Sequence, residues 1–371
     1  MTTRILIMKI AGRAKIIALL VLIGAVLVTA LILPAAMSAW FRNSANARIA
    51  RAISLPADAP ARLAALNDAD AQLAQARARS NDALVAFAQA RASLARGEAS
   101  RAVETLRATG NALQDDFIAQ FVWGQAEWQS GNPTAAFAQW RAAGALDYFM
   151  NQALRAGDKH QWQDAEAYAR LAVGIAPERP EPHYYLGDAI GYQLPNDSEA
   201  LSEIDRAAEL TRDSEFLSTI LSRKGELLAA QGKDRDALTV FGRAREIAPR
   251  DARPRIGYAM TLLRLDPNAE KQSVDILTQV VNDAPWTIGA HLALARIAEA
   301  DGDLKSAETW YRAALARDAN NPDALFALGQ FFARHNRVDD AKKMLTLALQ
   351  YEPHMDDQQA ITRALAELNA R

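Results

Sequence analysis

Histidine, cysteine, serine and paired carboxylates build most active sites, and this sequence offers few of them in a reactive pattern. The five histidines, His160, His183, His291, His335 and His354, fit no metal-binding spacing. A zinc-binding helix needs two imidazoles one turn apart with a glutamate between them, and no such set occurs. The chain has no cysteine, which excludes thiolate zinc sites, iron–sulfur clusters, a cysteine nucleophile and disulfides. Nucleophile elbows, phosphate loops and dinucleotide fingerprints are likewise missing from the sequence. Carboxylates remain. Asp188 and Glu226 could act as general acid and base if a pocket brought them together. Asp303, Asp339 and Asp340 stand beside turns, where a carboxylate meets the positive end of a helix, and are expected to start helices. No catalytic residue, cofactor or metal ligand is assigned.

The elements that would position these groups follow from composition and periodicity. Half of the 371 residues are hydrophobic, 23% are charged, and alanine dominates the apolar set. That balance predicts an ordered chain of closely packed helices. The formal net charge of -2 gives no basic footprint for nucleic acid.

Ile16 to Leu33 is a run of 18 residues without a charge, and "PAAMSAWF" extends it to Phe41. A spanning helix needs about 20 mostly apolar residues, so 16–41 is expected to be a transmembrane anchor. Trp40 and Phe41 would lie at the membrane interface, and Arg42 ends the run. The run is longer than the apolar core of a cleaved signal, and Met37 spoils the small-x-small site that would precede cleavage after Ala39. Arg4, Lys9, Arg13 and Lys15 precede the span, while Arg42, Arg48 and Arg51 follow it. The positive-inside rule then favours a cytoplasmic N-terminus and an exported body on the inner membrane, in the periplasm or its equivalent. Residues 1–15 form a short basic tail. Residues 42–59, small, polar and broken by Pro56, read as a linker.

Beyond it the chain repeats itself. Laid over each other at 34 residues, Leu294 meets Leu328, Ala295 meets Gly329, Ala307 meets Ala341, Tyr311 meets Leu345 and Ala314 meets Ala348. Small residues recur where two helices must cross closely, at the usual ~8–10 Å separation. Gly302 and Asn336 fall at the turns, where positive φ is needed, and Pro353 follows a second helix. The same offsets recur at Gly225, Gly232, Ala237, Phe241, Ala244 and Pro249, at Gly124, Gly131, Ala136, Trp140 and Ala143, and at Gly97, Ala102 and Leu106. Departures include the 29-residue step from Ala136 to Ala165, and Lys224 where leucine is expected.

This pattern resembles the tetratricopeptide repeat. The resemblance implies an all-α, right-handed α-solenoid of about eight helix-turn-helix units over 83–355, preceded by the N-terminal anchor. Residues 60–82 would be an N-terminal cap or half of a degenerate repeat. Residues 356–371, with Ile361, Leu365 and Leu368 as an apolar stripe, would cap the other end. His183 and His291 would take the repeat's aromatic packing position. The family's first helices line a concave groove, and carrying its outward positions over gives Phe121, Gln125, Trp128, Tyr184, Asp188, Tyr192, Glu226, Met260, Arg296, Phe326, Gln330 and Arg334. The Lys and Asn clamp that some members use for chaperone tails is missing. The resemblance therefore implies a non-enzymatic scaffold that binds a protein or peptide partner in its groove, tethered to the membrane through 16–41, with no cofactor, metal or nucleic acid. A chaperone-like holder of exported clients is the alternative, and a regulatory subunit of an envelope enzyme a further one.

Overall fold

The computed structural model describes residues 33–80, 82–351 and 355–369. Among them are 19 α-helices and two short 3-10 turns, with no strand. In chain order they are α1 (Leu33–Ile53), α2 (Pro60–Arg77), α3 (Ala83–Ala95), α4 (Ala99–Arg107), α5 (Phe117–Gln129), α6 (Pro133–Ala142), α7 (Leu146–Asp158), α8 (Trp162–Ile175), α9 (Pro180–Gln193), α10 (Ser198–Leu210), α11 (Ser214–Ala230), α12 (Asp234–Ile247), α13 (Ala252–Leu265), α14 (Glu270–Asp283), α15 (Ile288–Ala300), α16 (Leu304–Leu315), α17 (Pro322–Arg334), α18 (Val338–Gln350) and α19 (Met355–Asn369). From α3 to α18 they pair as helix hairpins. The chain divides into two compact units, residues 1–146 and 147–371, where one uninterrupted array was expected. The 29-residue step, shorter than a full repeat, spans this division.

The hairpins form because each helix carries its own start and stop. Asp82, Asp116, Asp213, Asp303 and Asn321 accept backbone N–H groups at helix N-termini, Asp303 from Ser306 at 3.0 Å. Such a cap contributes about 1 kcal/mol. Asp339 and Asp340 lie in the first turn of α18. Most first helices are followed by a left-handed residue, as at Gly302 (φ 78°), Asn336 (φ 58°) and His160 (φ 56°), whereas α9 and α13 run into Leu194 and Asp266 at negative φ. The following N–H then folds back onto the helix: Asp303 to the Ala298 carbonyl and Arg337 to that of Phe332, both at 2.9 Å. This closure satisfies carbonyls that would otherwise be orphaned.

Within each hairpin a small residue lets the partner helix approach. A Cβ at Gly225 would lie 2.7 Å from the Phe241 ring, and one at Gly257 in the next hairpin would overlap the same ring. Phe241, 1% exposed, is thus the knob between two repeats. Gly124 faces the Trp140 indole and Gly329 faces Leu345 in the same way. His183 and His291 are both buried, and Lys224 is satisfied by an ion pair with Asp205.

The first unit holds α1 to α6. Residues 42–53, expected as a linker, are instead the C-terminal part of α1. Ala45, Ile49 and Ala52, all 0% exposed, form a stripe at helical spacing, and Ala45 and Ile49 pack with Leu73, Ala76 and Ala88 of α2 and α3. Read as small and polar, that stripe is in fact apolar. α2 is accordingly the second helix of a hairpin with α1. Residues 16–32 of the expected anchor lie outside the described residues. Its last turns, from Leu33, open α1, where Ser38 is buried and donates to the Ala76 carbonyl at 3.0 Å. Among the described residues no helix is long and apolar enough to cross a membrane.

The second unit holds α7 to α19. Its first helices α9, α11, α13, α15 and α17 touch one another in succession, and α17 also touches α19. They therefore share one face of the unit. Ile361 and Leu368 of α19 are buried against α17 and α18 side chains, with Leu365 packed beside them.

Candidate functional site

In the first unit Phe121, Gln125 and Trp128 lie on α5. Gln125 is exposed and Trp128 is 44% exposed. The Trp128 ring sits 5.7 Å from Phe137 and 5.9 Å from Trp140, while Phe121 stacks on Phe117 at 6.1 Å. The Trp140 indole donates to the Phe121 carbonyl at 3.1 Å. Phe121 therefore contributes mainly to packing, and Trp128 presents an edge to solvent on a helix that also exposes Phe117 and Ile118.

The second unit brings four of the expected residues together. Tyr184, Asp188 and Tyr192 lie on α9, and Glu226 on α11. The side chains that join them are Arg223 and Arg253, which no expectation named. Arg223, 7% exposed, places Nε 2.6 Å from Asp188 and Nη1 3.3 Å from Glu226. Arg253 of α13 holds Glu226 with two bonds, at 2.6 and 2.7 Å. Arg223 also lies over the Tyr192 ring, 4.2 Å from its centre, and Trp162 stacks on that ring at 4.1 Å and 12°. Tyr184 is 8% exposed and meets Phe216 edge-on, so it belongs to the core.

Charge sets the protonation of this ladder. Burial alone would push the Glu226 carboxyl up, but the bonds from Arg253 and Arg223 outweigh it and hold the group below the usual carboxylate range. At Asp188 burial wins over Arg223 and Arg253, and its carboxyl sits above that range. A guanidinium stands between the two carboxylates. A general acid and base need an exchangeable proton and a substrate-sized gap; here the gap is filled by a side chain that stays protonated. The arrangement is an ion-pair ladder that ties three hairpins together.

Further along the same face Met260 is half-buried on α13, and Arg296 is exposed on α15. Phe326 and Gln330 of α17 are half-exposed. Arg334 is engaged, its Nε and Nη2 each 2.9 Å from Glu299. Glu299 also accepts from Tyr311 Oη at 3.1 Å and lies 3.1 Å from His335 Nε2. Burial pushes the Tyr311 phenol up, helped by the Glu299 charge, to about 12. Arg334 is thus a structural partner as well as a surface residue.

Arg223 and Arg253 left a faint sequence signal. Arg223 and Glu226 are one helical turn apart, but Arg253 sits in the first turn of the next repeat, where nothing marks its target. Among the described residues no three His, Cys, Asp or Glu side chains converge as a metal-holding group.

The tetratricopeptide repeat family profile matches residues 298–368, covering α16 to α18 and most of α19. A curated relative, cellulose synthase operon protein C of Xanthomonas axonopodis pv. citri, is 28% identical over 218 residues, 55% of this chain and 14% of that protein. The chain thus spans only that small part of the length of the curated relative it matches. Two solved structures are similar. A tetratricopeptide repeat protein of Parabacteroides merdae shares 13% identity, over 77% of this chain and 98% of that one, at a TM-score of 0.48. A thermophilic tetratricopeptide protein of Thermus thermophilus shares 21%, over 50% and 99% of the two chains, at 0.44.

Proposed function

From the tetratricopeptide character of these hairpins we propose that the chain is a non-enzymatic scaffold that binds a partner polypeptide along the first-helix face of its second unit. The observation that carries this reading is the alignment of α9, α11, α13, α15 and α17 on one side. That side offers Tyr192, Met260, Arg296, Phe326 and Gln330 over a framework already braced by ion pairs. A partner lying across them would gain aromatic, apolar and arginine contacts, the types that dominate binding energy. The brace reduces the ordering cost of binding.

The membrane belongs to the same proposal. Residues 16–32, the part of the expected 16–41 anchor that precedes α1, hold the chain in the inner membrane with the N-terminus in the cytoplasm and the folded units outside it, which confines the face to the membrane surface and raises the partner's effective concentration. The curated relative's name, which refers to a cellulose synthase operon, draws the setting toward polysaccharide synthesis at the envelope. A photo-crosslinking amino acid at Arg296 or Gln330, set against Lys343 on the second helix α18, tests the face in the native host. Adducts to one partner from the first two positions alone support it; equal adducts from all three overturn it. A reporter active only outside the cytoplasm, fused after Arg371, tests the orientation.

One observation favours a second reading, a holder of exported clients. Phe117, Ile118 and Trp128 of the first unit are 50, 60 and 44% exposed, and apolar surface of this kind suits unfolded chains. Capture of many unrelated chains rather than one partner at fixed stoichiometry would select it.

A further inference from the structure

Within the second unit α7, α8, α9 and the turn before α8 line a half-open cavity of about 340 Å³. It lies at the irregular repeat, where the sequence step is short. Its size falls at the low end of ligand pockets, ~300–1,000 Å³, which suits a side chain better than a cofactor. Leu154, Trp162, Tyr185 and Tyr192 supply apolar and aromatic wall, and Asp158, Asp188 and His160 are its titratable members. No lysine or arginine lines it.

The wall is fixed before any ligand arrives. Trp162 covers one face of Tyr192 at 4.1 Å, so the Arg223 guanidinium, 4.2 Å from the same ring centre, must cover the other. Three hairpins contribute to this stack, since Trp162 comes from α8, Tyr192 from α9 and Arg223 from α11. Asp188 has Arg223 as its one ion-pair partner among the described residues, through Nε to Oδ1. Burial leaves this carboxyl above its ordinary range in spite of Arg223. Asp158 is exposed and has no ion pair among the described residues. A cation entering here would meet the exposed Asp158 carboxylate and the second oxygen of Asp188 beside the rings of Trp162 and Tyr185, since both faces of Tyr192 are already covered. Carboxylate and ring are each attractive in a partly desolvated site.

We propose that this cavity is the subsite for a guanidinium or ammonium group, carried by an arginine or lysine of the polypeptide that the first-helix face holds. It rests on the scaffold reading and adds to it the chemistry of one partner position. Arginine is favoured over lysine, because a planar guanidinium stacks on an aromatic wall while bonding a carboxylate. Asp188 then serves both the ladder and the partner, which places the cation subsite at one end of the bracing network.

The test uses the full chain in detergent with its seven tryptophans replaced by 5-fluorotryptophan, read by fluorine NMR. The Trp162 line is assigned from Trp162→Phe. The probes are a blocked Ala-Ala-Arg-Ala-Ala peptide and its citrulline analogue, which keeps the shape and loses the charge. The arginine peptide is expected to shift the Trp162 line, with weakening by salt, and citrulline to shift it at least about tenfold more weakly. Asp158→Asn, at an exposed position, should weaken the arginine peptide without affecting folding, and Asp188→Asn more so. Equal shifts from both peptides, or a Trp162 line that neither moves, would overturn the proposal. Crosslinking at Arg296 separates the two levels. If it still captures the partner while the Trp162 line stays still, the subsite fails and the scaffold stands; if both fail, the scaffold reading falls with it.

Discussion

Arg253 clasps Glu226 across two consecutive first helices, its Nε and Nη2 lying 2.6 and 2.7 Å from the two carboxylate oxygens. A planar fork meeting a planar carboxylate fixes both distance and rotation between α11 and α13. Arg223 extends the same clasp to Asp188 on α9. The face on which the partner is proposed to lie is therefore held in register by charge, while the hairpin interior is held by packing.

The clasp has a measurable coupling. Glu226 and Arg253 side chains are each about a third exposed, at 34 and 38%, so solvent screening reduces the value below that of a buried pair. A double-mutant cycle with Glu226→Gln and Arg253→Met should give a coupling of about 1 kcal/mol in urea unfolding. Additive single effects would mean that the bidentate geometry contributes nothing to stability.

The interior makes a different demand. Gly225→Ala puts a methyl group 2.7 Å from the Phe241 ring, and overpacking of this kind costs about 2 kcal/mol or more. Phe241→Leu should restore part of the loss in the double variant, seen as a recovered urea midpoint. Gly225→Ala with an unchanged midpoint would show that the two helices separate freely.

Much of this interior was legible in the sequence. Gly225, Gly329, Ala341 and Asn336 stood at fixed offsets, because a helix crossing and a left-handed turn each admit few residue types. The ladder was harder to see. Arg223, Glu226 and Arg253 come from two repeats, and a charge leaves no periodic trace of which neighbour it will meet. Trp162 and Tyr192 also gave no sign of stacking, since their contact crosses from one hairpin to the next. In the first unit Ala45, Ile49 and Ala52 escaped notice because the polar residues between them, from Asn43 to Arg51, hid a stripe made mostly of alanine. Their stripe turns an expected linker into a packed helix.

His183 gives the fold a pH dependence. Its Nδ1 lies 2.6 Å from Glu203 Oε2 and its Nε2 2.9 Å from the Pro177 carbonyl. The Pro177 carbonyl and a Glu203 carboxylate can each only accept, so the imidazolium form, with both ring nitrogens donating, satisfies both contacts. The Glu203 bond raises its pKa, burial opposes it, and the Pro177 carbonyl adds to the rise. A group raised in the folded state contributes fully below its unfolded value of 6.5 and loses that contribution as pH climbs through the folded value. Urea midpoints should fall as pH rises above the unfolded value of 6.5, and fall less in His183→Phe. An identical fall in both proteins would remove His183 from the explanation.

Surface substitutions on the first-helix face should separate binding from folding. Arg296→Glu and Gln330→Ala touch no ion pair of the framework, and each should leave the melting temperature unchanged. Together they should weaken binding of the crosslinked partner by about tenfold, measured by titration calorimetry. Full binding by the double variant would move the contact elsewhere.

Hydrogen exchange of the full chain with and without that partner tests the central claim most directly. Slowed exchange in Pro180–Gln193, Ser214–Ala230, Ala252–Leu265, Ile288–Ala300 and Pro322–Arg334, with the second helices unchanged, is the predicted result. Protection confined to the second helices, or to the first unit alone, would contradict it.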